Sequence, residues 1–174
     1  VPFTPFHFGI HSIAGWPLRR WVDWPVFILA SVAVDIEPLL VMYFKFDVPI
    51  HWICHTLLGG AVVGLVWAFV ACPLRGVLRF AMQLLCLPYE TSLRNMLIGG
   101  VLGVWLHVLV DSFLYIEMNP FWLLSGNPLY RLLSYQTIGF LCDLCLVSAI
   151  VVYVSWRVYF RPRANRLDRP PASE

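Results

Sequence analysis

Four apolar runs, each long enough to cross a lipid bilayer, leave this chain little choice of fold. They extend from about Trp24 to Phe44, His51 to Cys72, Arg94 to Ile116 and Gln136 to Phe160. A hydrocarbon core roughly 30 Å thick takes ~20 helical residues to span. Backbone polar groups inside it must be satisfied within the segment, so such runs are expected to be helices. Composition agrees: 13% of the 174 residues are charged and 60% are hydrophobic, whereas soluble domains carry roughly 25% charged residues. The expected fold is an all-α polytopic membrane bundle of four transmembrane helices. Two shorter segments complete it. Pro5 to Leu18 is too short to cross and suits a half-helix, and Pro73 to Leu87, with Arg75 and Arg79 among apolar residues, suits an amphipathic helix at the interface. One membrane domain is expected over 1–160, followed by a basic, proline-containing tail over 161–174.

Arginine placement predicts orientation. With four alternating spans, Arg19, Arg20, Arg75, Arg79, Arg94, Arg157 and the tail arginines share one side, leaving Lys45 and Arg131 on the other. The positive-inside rule makes the arginine-rich side and the tail cytoplasmic. A net charge of +2 gives no footing for a nucleic-acid partner. The five cysteines, mostly within apolar runs, suit small packing residues better than a disulfide framework.

The ionisable residues inside these runs carry the chemistry, because burying them in a bilayer is costly and marks function. His7 and His11, His51 and His55, and His107 and Asp111 are each four apart, a spacing that puts both members on one helical face. Imidazoles and carboxylates gathered this way suit a divalent metal such as zinc, manganese or iron. Helical rise brings them to a common depth. From the arginine-rich ends of their runs, Asp35 comes at ~16 Å, His7 at ~18 Å, Glu37 and His107 at ~20 Å, and Asp143 at ~21 Å; Asp111 and His55 come at ~26 Å. Asp35 and Glu37 are two apart and would not share a face, but Pro38 disfavours helix at Glu37 and offers a break that lets both reach the site. Other members keep two readings. His11 is either a ligand or a helix–helix hydrogen-bonding group, and His51 either a ligand or a support for one. Asp143 can instead pair with a polar neighbour, Glu117 can be simply solvated, and Arg131 is either a phosphate contact or an interfacial anchor. The glycines 59, 60, 64, 99, 100 and 103 suit close helix packing.

Together the opening Pro-Phe-Thr-Pro-Phe-His-Phe-Gly, Asp35-Ile-Glu37-Pro38, His51-x-x-x-His55-Thr56, His107-x-x-x-Asp111-Ser112, Asn119-Pro-Phe-Trp and Ser125-Gly-Asn-Pro-Leu resemble the bacterial inner-membrane metal-dependent hydrolases of the YdjM type. The resemblance covers roughly residues 2–130. The order His, Asp, His, His-x-x-x-Asp is also similar, more weakly, to the ligand order of zinc-dependent phospholipase C, a soluble helical family. That similarity implies metal ligation by His7, Asp35, His55, His107 and Asp111. The later His-x-x-x-Glu of that family is missing here, and Asp143 or Glu117 are the candidates to replace it; one or two ions are then expected. The implied activity is hydrolysis of a lipid-borne ester, a phosphoester first, with Glu37 or Asp35 as general base. The competing expectation is a transporter or a proton or metal-ion relay built on the same residues. A haem carrier with His55 and His107 as axial ligands fits poorly beside several carboxylates.

Overall fold

The computed structural model describes residues 5–160 except 123 and 125, and over these it is helical without strands. The expected tail over 161–174 and Ser125 lie outside the described residues. Seven α-helices follow in order: α1 Pro5–Leu18, α2 Trp24–Val34, α3 Ile36–Phe44, α4 Leu57–Ala71, α5 Arg75–Leu84, α6 Leu93–Ser112 and α7 Tyr135–Ser155. A π-helical turn, Trp156–Phe160, extends α7. α2 and α3 form one apolar span of 21 residues, Trp24–Phe44, interrupted at Asp35, whose φ of −70° and ψ of −7° turn the chain only slightly. The break at Asp-Ile-Glu-Pro is therefore mild.

Three helices are long and apolar enough to cross a membrane, and a fourth crossing needs α4 and α5 taken together. That is short of four straight spans, and the reason lies at Thr56. Its backbone is extended and its hydroxyl accepts from the Gly59 amide at 2.9 Å, so helix starts at Leu57, leaving α4 only 15 residues. Such N-capping fixes where a helix begins. His51 and His55 precede the cap in a non-helical segment, so their four-residue spacing does not report a helical face. At its other end α4 meets α5 at an 81° bend. α5 then lies across the end of the bundle with Arg75 and Arg79 exposed, the orientation expected of an interfacial helix.

α6 is the central helix, packing on α4 and α2, while α1 packs on α2 and α7. Small residues permit this closeness. A Cβ on Gly64 would meet the Gly100 carbonyl at 2.6 Å, and one on Gly103 would collide with the backbone of Phe27. Glycine contacts of this kind let helix backbones approach where lipid supplies no hydrophobic driving force between helices. Above and below these crossings lie two apolar clusters, Ala30, Val34, Val104, Val108 and Met118, and Val26, Ala68, Ala71 and Met96. The loop after α6 is tied down over the first cluster. Leu57 donates its amide to Pro120 O (2.8 Å), and the Asn127 side-chain amide bonds the carbonyls of Ser112 and Tyr115 (2.7 and 2.8 Å).

Candidate metal centre

The helix ends opposite α5 bring histidines and carboxylates together in a buried group. Asp35 enters from the α2–α3 junction, His55 from the segment before α4, and His107 and Asp111 from successive turns of α6. One ligand atom from each of the four lies within 4.8 Å of all the others. His107 Nε2 sits 3.3 Å from Asp35 Oδ1 and 3.2 Å from Asp111 Oδ2, and His55 Nε2 sits 3.9 Å from Asp35 Oδ1. Neither His107 Nε2 nor His55 Nε2 makes a hydrogen bond, although both atoms are buried. Buried polar atoms without partners carry a full desolvation cost. A cation between these atoms removes that cost. Tetrahedral zinc with ligand bonds of about 2.1 Å has ligand–ligand edges of roughly 3.4 Å, close to the separations around His107. Two carboxylates among imidazoles also match the charge of one dication. These residues could therefore hold a metal ion; the identity of that ion is not fixed by the geometry.

The remaining polar residues form a second tier. His7 Nε2 is 3.3 Å from Asp111 Oδ1, and its ring stacks on His107 with centroids 4.2 Å apart. His51 Nε2 lies 4.0 Å from Asp111 Oδ2, while its Nδ1 meets Glu117 Oε1 at 3.2 Å. Glu37 does not face the cluster itself. It stands behind His55, with Oε2 at 2.9 Å from His55 Nδ1, and it accepts from the amides of Trp52 (3.1 Å) and Cys54 (2.9 Å). Two histidines thus present Nε2 to the site with a glutamate on Nδ1, the arrangement by which outer carboxylates fix the tautomer and aim of a metal-binding imidazole. Glu37 also explains why residues 51–55 leave the helical path: it draws two of their amides toward α3.

Three candidate residues fall outside the cluster. His11 is buried with Nδ1 2.7 Å from His7 O and Nε2 2.9 Å from Gly103 O; its neutral ring donates to one of these carbonyls, and it packs between α1 and α6 away from the ligand group. Asp143 is exposed on α7 and lines a cavity of about 200 Å³ beside His7, without joining the ligand group. Arg131 is exposed, its guanidinium 5.1 Å over the Tyr130 ring, and it does not join the ligand group.

One buried carboxylate was not legible as a site residue. Asp23, at the opposite end of the bundle, caps α2 through Val26 N (3.0 Å) and accepts from Tyr89 Oη (2.8 Å) and the Thr91 hydroxyl. The signal was there: Asp-Trp-Pro at the start of an apolar run is a capping sequence. Burial and then Asp23 push the Tyr89 phenol upward, which keeps it a donor. Comparison with family models, curated proteins and solved structures finds no match, so the resemblance to the YdjM-type hydrolases rests on the motifs alone.

Proposed function

We propose that this chain is a membrane-embedded metal-dependent hydrolase acting on a lipid-borne ester, with a phosphoester as the first candidate. The observation that carries the reading is the convergence of Asp35, His55, His107 and Asp111 with imidazole nitrogens left without hydrogen bonds. A divalent ion bound there, zinc first and manganese or iron next, would supply Lewis acidity and bring water's pKa toward ~7. The protein's own share is positioning and proton handling. Glu37 holds His55 and the 51–55 segment in place. His51, backed by Glu117, presents Nε2 toward the cluster and is the group best arranged to accept a proton. Asp35, with 19% of its side chain exposed, keeps the site open on one flank.

In this reading α4, which passes the length test only together with α5, makes the fourth crossing with the 51–56 segment while α5 lies in the interface, the arginine-rich end faces the cytoplasm of a bacterial inner membrane, and the site opens to the outer leaflet. A lipid is then the simplest ester to arrive laterally. The relay alternative has one observation in its favour: Asp35, His107, Asp111, His51 and Glu117 form a polar series that ends at Glu117, a third exposed. Against it, the layer beneath the cluster is Phe27, Ala30 and Val104, all buried and apolar, and the buried His11 beside Phe27 turns its ring nitrogens to backbone carbonyls rather than to another ionisable group. The polar series therefore reaches one side only, which suits hydrolysis better than transport. The test is turnover of radiolabelled bacterial phospholipids by purified protein loaded with zinc, manganese or iron. Release of phosphate or a phosphorylated headgroup, abolished in His107→Ala, supports the hydrolase. Inactivity with all three metals, together with proton or metal flux into vesicles, replaces it with the relay.

A further inference from the structure

The arginine-rich end of the bundle carries a second cavity, unrelated to the metal centre. It measures about 480 Å³ and lies between the α1–α2 turn, α5 and the segment leading into α6. Arg19 and Arg20 line it together with the indoles of Trp16 and Trp24. Its far wall is held by the buried Asp23, which ties Tyr89 and Thr91 to the start of α2. That wall is a built surface rather than a loose loop.

Charge at this end is unbalanced. Among the described residues every ion pair is between histidine and a carboxylate, so no arginine is neutralised by a salt bridge. Arg19 spends one N–H on Trp16 O at 3.0 Å and stacks 4.5 Å over the Trp16 ring, leaving its other donors unused among the described residues. Arg20 is exposed and makes no hydrogen bond among them. The one acidic residue lining the cavity is Glu90, also exposed. Two guanidinium forks beside two indoles, at the end of a membrane bundle, match a phosphate above an apolar glycerol and acyl region. Guanidinium pairs with phosphate bidentately, tryptophan prefers the headgroup level, and basic pockets between spans take anionic headgroups.

We propose that this cleft binds the phosphate of an anionic phospholipid, with Arg19 and Arg20 donating to the phosphate and Trp16 and Trp24 seating the glycerol and first methylenes. The bound lipid is separate from any substrate: Asp23 and Asp35 are twelve residues apart along α2, ~18 Å of helical rise. Glu90 opposes binding, so its removal has the opposite sign to removal of the arginines.

The experiment is calorimetric titration of full-length protein in maltoside detergent with dioctanoyl phosphatidylglycerol, dioctanoyl phosphatidylcholine and glycerol phosphate. The proposal expects phosphatidylglycerol to bind at one site per chain, at least about tenfold tighter than phosphatidylcholine. Arg19→Gln with Arg20→Gln should weaken it at least about tenfold, the loss of one or more charge-assisted bonds. Arg19→Lys with Arg20→Lys should keep part of the affinity, which guards against a misfolded glutamine variant. Glu90→Gln should tighten binding about threefold by removing a like charge. Equal affinity for the two lipids, or wild-type affinity in the glutamine variant with an unchanged melting curve, overturns the site. Glycerol phosphate binding as tightly as phosphatidylglycerol overturns the lipid assignment in favour of a soluble phosphate.

Discussion

Glu37→Gln separates a positioning role from proton transfer. The carboxylate receives three donors, the amides of Trp52 and Cys54 and the Nδ1–H of His55, all within 3.1 Å. A glutamine of the same shape keeps one acceptor oxygen and turns an NH₂ group toward the rest, so at least one donor loses its partner. Each such loss at a largely buried site costs about 1–3 kcal/mol. Carried in full into the His55 tautomer and aim, that cost is about a 5–150-fold drop in metal affinity, a range that spans the 10–100-fold typical of lost outer-shell partners. The assay is competition for zinc against a chromophoric chelator in detergent, with thermal unfolding followed on the same samples. The account expects weaker metal binding and a lower melting temperature together. Affinity within twofold of wild type, with turnover lost, would refute the reasoning and restore Glu37 as the base.

Two further outcomes follow from the same geometry. His11→Ala should keep full metal stoichiometry while losing about 2–3 kcal/mol of stability, because it removes a buried interhelical bond and leaves a cavity; elemental analysis beside a melting curve reads both, and loss of metal at unchanged stability would make His11 a ligand. In a cysteine-free background, single cysteines near Asp47 and Gly126 should label from outside the cell and those near Arg75 and Ala164 should not; the reverse pattern would turn the site toward the cytoplasm.

The parts of the site that sequence revealed are those where a bilayer makes polarity expensive. Asp35, His107 and Asp111 stand in apolar helices, and their shared depth carried straight into a shared cluster. His7 followed because α1 adopts the half-helix its length implied. Depth alone could not separate an inward residue from an outward one, which is why Asp143 on the exposed face of α7 looked equivalent. His51 and His55 converge on the site for a different reason than their spacing suggested. Thr56 stops the helix, and Glu37 holds the preceding segment by its amides; a contact across 17 positions leaves no local trace. The second span was too long by the same six residues, since hydropathy does not register an N-cap. His11 shows the converse, a histidine at ligand spacing whose ring nitrogens face backbone carbonyls of α1 and α6 rather than the cluster.

The central claim is that Asp35, His55, His107 and Asp111 hold a metal ion within the membrane bundle. Elemental analysis of chelator-washed protein measures it most directly, with wild type compared against His107→Ala combined with Asp111→Ala. Wild type should retain at least one divalent ion per chain and the double variant none, with its helical content intact. Wild type purified from metal-replete medium without any bound ion, or a double variant that keeps the full complement, would contradict the account.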